Sequence, residues 1–195
     1  MKHFGSVMNG LKYFLLCSMM GLLACQHSAI DKYNRLVKKE LDSQKKVNDI
    51  FFGIRLGMNS KDFYVHCWNK NKEGLFRDGT GNTSVLYELD STQMKHPAEM
   101  NFYPEFKNGK IHKLWAKFRY KGWMPWNKEL GSDKLLPDVV GLFDKWYPQG
   151  NPVIKVADEK RGTMYMKIDG NRQIAITVFD DTDVKAEYTD LSILK

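Results

Sequence analysis

Apolar and polar positions follow one period after another along the chain, and each change of period predicts a new element. Ile30, Tyr33, Val37 and Leu41 recur at helical spacing, with Lys, Arg, Asp and Glu on the remaining positions. So thin a stripe either packs lightly on a domain or belongs to a solvated spacer, and its charge favours the spacer. Phe51 to Met58 is a short, mostly apolar stretch. Asn59 or Ser60 can then cap a helix running to Asn71, with Asp62 early, where it suits the helix dipole. Phe63 and Cys67 lie one turn apart, as do Tyr64 and Trp68. Gly74 to Thr83 reads as a loop, and Val85, Tyr87 and Leu89 as one side of a strand.

Two hairpins follow the same logic. Residues 98–107 and 110–121 flank Asn108-Gly109, the strongest short hairpin signal. A linker with Gly122, Trp123, Met124, Pro125 and Trp126 comes next; it reads as an apolar hinge or, alternatively, as an exposed aromatic platform. Pro137 suits the first turn of a helix whose apolar face holds Val139, Val140, Phe143, Trp146 and Tyr147. Val153 to Val156 predicts a short strand. Thr163 to Ile168 and Arg172 to Phe179 predict a second hairpin around Asp169-Gly170-Asn171. If Met164, Met166 and Ile168 share a face with Ile174, Ile176 and Val178, parity requires a three-residue loop. A last strand is expected from about Val184 to Ile193.

Helix, strand, hairpin, then helix, strand, hairpin, strand is an α+β order: an antiparallel sheet with helices packed on one face. It also suggests a duplicated helix-strand-hairpin unit, with halves at 50–121 and 122–195, inside a single domain spanning 50–195. Composition agrees with a globular chain, since 43% of its 195 residues are hydrophobic and 27% charged.

The first residues read as an address rather than as fold. Lys2, His3 and Lys12 precede an uncharged run from Tyr13 to Ala24, shorter than the roughly 20 apolar residues that span a bilayer. It ends in Leu22-Leu23-Ala24-Cys25, which resembles the lipobox of bacterial lipoproteins. The resemblance implies that residues 1–24 are a signal peptide, that Cys25 carries the lipid, and that 25–49 are a lipidated tether and linker helix. Gln26 follows the cysteine where an aspartate would imply retention in the inner membrane. The expectation is therefore an outer-membrane lipoprotein facing the periplasm. Cys17 leaves with the signal, so Cys67 is the one unmodified thiol, with no partner for an internal disulfide. The phrase Leu56-Gly57-Met58-Asn59 and the element layout resemble outer-membrane assembly lipoproteins and the β-lactamase-inhibitor-like fold. That resemblance implies a sheet whose free face binds protein partners, and it assigns no binding residue here.

Charge narrows the search. The formal net charge is +7, and loss of Lys2 and Lys12 with the signal reduces it to +5. Lys107, Lys110, Lys113, Lys117, Arg119 and Lys121 fall within 15 residues that hold no acid. In a strand, side chains alternate between faces. His112, Leu114, Ala116, Phe118 and Tyr120 then face the core, while Lys113, Trp115, Lys117, Arg119, Lys121 and Trp123 form a basic face with aromatics between. A two-residue turn would place Trp115 opposite Phe102, Lys113 opposite Pro104 and His112 opposite Glu105. The candidate binding residues are thus Phe102, Phe106, Lys113, Trp115, Lys117, Arg119, Lys121, Trp123 and Trp126. A solvated face explains the lysines alone; aromatics with arginine fit a protein interface. The alternative ligand is an anionic glycan, lipopolysaccharide or phospholipid headgroup. Single-stranded nucleic acid would suit the pattern, but the export signal argues against it.

No catalytic, cofactor or metal pattern emerges. His27, His66, His96 and His112 have no clustered ligand spacing. Gly79-Thr80-Gly81-Asn82 lacks the lysine of a phosphate-binding loop. Asp180-Asp181-Thr182-Asp183 would place Lys185 at the third ligand position of a calcium loop, so it reads as a turn. The sequence therefore predicts a non-enzymatic binding protein.

Overall fold

The computed structural model describes residues 29–193, except 80, 82 and 159–161. Helix α1 spans 29–42, α2 spans Ser60–Lys72 and α3 spans Ser132–Trp146. The strands are β1 (Arg77–Asp78), β2 (Val85–Leu89), β3 (Ala98–Lys107), β4 (Lys110–Tyr120), β5 (Ile154–Asp158), β6 (Gly162–Asp169), β7 (Arg172–Val178) and β8 (Asp183–Asp190). Every pairing is antiparallel, in one sheet of order β1-β2-β3-β4-β8-β7-β6-β5. The molecule is an α+β fold in which two meanders, each preceded by a helix, join along β4 and β8.

The inner face of the sheet follows from alternation. Met100, Phe102, Leu114, Ala116, Phe118, Ile174, Ile176, Val184, Ala186 and Tyr188 are all buried. Phe63 of α2 and Leu135, Val139, Leu142 and Phe143 of α3 close that layer from above. Phe51 and Phe52 fill the gap between the helices: Phe51 meets Phe102, Trp146 and Tyr188 edge-on or tilted, and Phe52 meets Phe76, Tyr87 and Trp146. Cys67 also packs half-buried on this core, and burial pushes its thiol up to about 12. α3 begins at Ser132, five residues earlier than the proline suggests. Pro137 lies inside the helix, where it forfeits one backbone bond near the first turns.

Four expectations are corrected. The hairpin at Asn108-Gly109 does turn in two residues, with φ of 51° and 72° at those positions. Its register shifts between Glu105 and Phe106, however, leaving His112 as the extra residue of a bulge. The bulge lets both Ile111 and Leu114 reach the core. It sets Trp115 opposite Tyr103 and Lys113 opposite Glu105, and no Glu105–His112 pair forms. Phe102 consequently belongs to the inner face, where it is fully buried, and leaves the candidate binding set.

The second hairpin turns in two residues, with Asp169 opposite Arg172. Gly170 has φ of 57°, the glycine position of a type II′ turn. Met166 and Ile168 then lie on the outer face and Ile174 and Ile176 on the inner one. The expected three-residue loop assumed a single buried face; here both are buried.

The reason is α1, which is no solvated spacer. Tyr33, Leu36, Val37 and Leu41 pack over Ile154, Val156, Met166, Ile168 and Leu191 on the outer face. The Tyr33 hydroxyl donates to Gln173 Oε1 at 2.6 Å, and the Gly170 amide donates to Glu40 Oε2 at 2.8 Å. These contacts orient α1: its C-terminal turn sits on the β6–β7 turn, and its first residues point along β7 towards the β7–β8 turn. At the β6–β7 turn, Arg172 donates to the Asp49 carbonyl and to Asp169, and its guanidinium lies over Tyr147 at 4.3 Å.

Candidate functional site

On the outer face, the strands α1 leaves uncovered form a trough of about 460 Å³. Glu99 and Asn101 come from β3, Trp115, Lys117 and Arg119 from β4, and Asp183 and Lys185 from β8. Thr83 and Ser84 wall one end and Phe179 the other. Trp115 is half-buried in this floor. The odd-numbered face of β4 is therefore the outer face, and the sequence alternation located it.

The charges on it are matched, not free. Arg119 Nε and its terminal nitrogen donate to both oxygens of Asp183 at 2.6 and 2.9 Å, a bidentate pair. The Asp183 hydrogen bond raises the Arg119 pKa. Lys117 Nζ lies 3.7 Å from the same carboxylate and 3.9 Å from the centre of the Phe179 ring. Lys121 pairs with Glu88 at 2.9 Å, and its hydrogen bond holds that carboxyl below the usual range. Lys113 and Lys185 both approach Glu187, at 3.8 and 3.0 Å. A local excess of cations in β4 becomes a checkerboard once β8 lies beside it and Glu88 reaches across from β2. The face therefore projects little long-range potential; what it presents is aromatic surface among fixed, paired charges.

The other candidates scatter. Phe106 packs against Phe63 and Tyr64 of α2, outside the trough. Trp123 is half-buried and Trp126 is 79% exposed in the linker after β4, so this segment is an open platform and not an apolar hinge. Phe179 and Asp183 complete the trough, and the sequence reading placed neither on the binding face. A hairpin across β7–β8 could have proposed them, but only the β4–β8 pairing makes them neighbours of Lys117 and Arg119.

The Asp180 turn is self-satisfied. Its carboxylate accepts from the amides of Thr182 and Asp183 at 2.8 Å each. Those bonds lower its pKa despite partial desolvation. Among the described residues, no group of three or more His, Cys, Asp or Glu could hold a metal, and no helix is long and apolar enough to cross a membrane. His66 hydrogen-bonds the Phe52 carbonyl at 2.8 Å and does not engage Cys67. Cys25 and the segment before it lie outside the described residues, as do Thr80 and Asn82 of the glycine-rich loop. No family model, no curated protein and no solved structure matches this chain.

Proposed function

We propose that the chain is a lipid-anchored, non-enzymatic protein of the cell envelope, held through Cys25, that binds a protein partner across the outer-face trough. The observation that carries the binding reading is Trp115. It lies on a sheet face uncovered by any described element, and it is not among the side chains packed on either apolar core. An aromatic side chain kept off the core, ringed by ion-paired residues, has the make-up of an interface centre with a polar rim. The lipobox resemblance at Leu22-Leu23-Ala24-Cys25 supports the anchor, and Gln26 supports the outer membrane.

Photo-crosslinking in intact cells from position 185, on the trough floor, followed by mass spectrometry, tests the reading. One partner should dominate, and its recovery should be lost in Trp115→Ala while the melting temperature stays within a few degrees. A Trp115→Ala protein that no longer folds would show that the ring is structural. An anionic glycan, lipopolysaccharide or headgroup is the competing ligand. It would make binding fall steeply with ionic strength, whereas a face whose cations are already paired should bind with little salt dependence.

A further inference from the structure

The exposed large apolar side chains are unevenly placed, and the strand directions say where. β4 runs into Arg119 opposite Asp183, at the start of β8. The linker after β4 returns at Ser132, whose amide bonds the Asp181 carbonyl at 3.0 Å. Both ends of that linker therefore lie at one end of the sheet, beside the β7–β8 turn. Met124, Trp126, Val178 and Phe179 are all exposed there. Glu40 on Gly170 and Tyr33 on Gln173 show that α1 points its N-terminus the same way, with exposed Ile30 in its first turn.

Chain length adds a constraint. Gln173 lies five residues before Val178, so the strand continues about 17 Å beyond the Tyr33 contact. Ala29 lies four residues after Cys25, a reach of at most about 14 Å. A domain tethered at Cys25 therefore cannot stand off from the bilayer on a stalk, because α1 is docked onto the sheet and only residues 26–28 separate it from Cys25. The end of the sheet nearest the anchor is the end that carries these apolar side chains.

We propose that this end, with Ile30, Met124, Trp126, Val178 and Phe179, rests in the interfacial layer of a lipid bilayer, leaving the trough open sideways. The inference rests on the anchor at Cys25 and adds the orientation of the domain. A tryptophan beside a methionine and a phenylalanine suits the headgroup boundary. Charge at this end is mixed: Asp181 and Glu129 are exposed near Lys128. Apolar insertion thus holds the contact, and zwitterionic lipid suffices.

The test uses the full chain, taken in its membrane form and reconstituted into phosphatidylcholine vesicles with brominated acyl chains. Bromine quenches tryptophan fluorescence only at close range. Wild type should be quenched, Trp126→Phe should lose most of that quenching, and Trp68→Phe should lose little, because Trp68 is exposed on α2 instead. An unquenched wild type overturns the proposal; so does quenching that disappears with Trp68→Phe and survives Trp126→Phe. The mass of the peptide containing Cys25 reports on the anchor, and crosslinking from position 185 reports on the partner. Failure of either is therefore distinguishable from failure of the orientation.

Discussion

The outer face of the sheet is one surface with two characters. Along a single row, Trp115 on β4 sits beside Glu187 on β8, then Ala175 on β7, Met166 on β6 and Ile154 on β5. At the β5–β6 end of that row the face is apolar and α1 lies on it. At the β3–β4 end it is aromatic and charged and nothing described covers it. The same backbone arrangement therefore serves stability on one side and display on the other. Burial needs a second apolar layer; ion-paired polar side chains can stay solvated without one, and so remain available to a ligand.

The sharpest way to break that contrast is to truncate one residue in each region. Ile168 is fully buried beneath α1, so Ile168→Ala should cost about 2–5 kcal/mol in denaturant unfolding and loosen α1 in hydrogen exchange. A change near zero would mean that α1 contributes no packing. Two glycines with similar φ sharpen the point. Gly109 and Gly170 have φ of 72° and 57°, but a Cβ at Gly109 meets nothing within 4 Å, whereas one at Gly170 would lie 2.4 Å from the Lys45 carbonyl oxygen. Gly109→Ala should cost about 1–2 kcal/mol from its left-handed backbone, and Gly170→Ala clearly more. Equal costs would refute the close approach of the chain after α1.

On the display side, Trp115→Ala should change stability by no more than about 0.5 kcal/mol, read in the same unfolding assay. A loss comparable to Ile168→Ala would erase the distinction between the two regions. The smallest effect concerns Glu40. Partial desolvation works against its charged form, but the Gly170 amide bond, an Asn151 hydrogen bond and nearby Lys39 and Lys45 hold its carboxyl below the usual value of about 4.3. A carboxyl lowered in the folded state stabilises it fully above that usual value, and the contribution disappears as pH falls through the lowered one. Protection of the Gly170 amide should therefore drop below about pH 4, and Glu40→Gln should show reduced protection already at pH 7. A variant with the wild-type pH profile would remove Glu40 from the clasp.

Much of this was legible from residue order. Alternation through Leu114, Ala116, Phe118 and Tyr120 identified the inner face of β4 and left Trp115, Lys117 and Arg119 on the other. Asn108-Gly109 located its turn, because few residue pairs take two left-handed conformations in succession. The bulge at His112 was hidden, since an extra residue changes register without changing local composition. Phe102 was misplaced for that reason alone. The second hairpin was misjudged because parity was solved for one buried face. Residues Tyr33, Leu36, Val37 and Leu41 make too narrow a stripe to announce that they cover the other.

The sequence by itself determined most of the elements, the places of the hairpin turns and the faces of isolated strands, because these depend on spacing within a few residues; the two-residue β1 fell in a stretch that reads as loop. The tertiary structure alone decided which strands became neighbours. That choice brought Asp183, Glu187 and Glu88 beside the cations of β4, turned a basic strand into a charge-matched floor, and sent the first helix across the sheet so that only one region of the outer face stayed open. Pairing between residues more than thirty positions apart is set by the packing of the whole chain, and no local pattern encodes it.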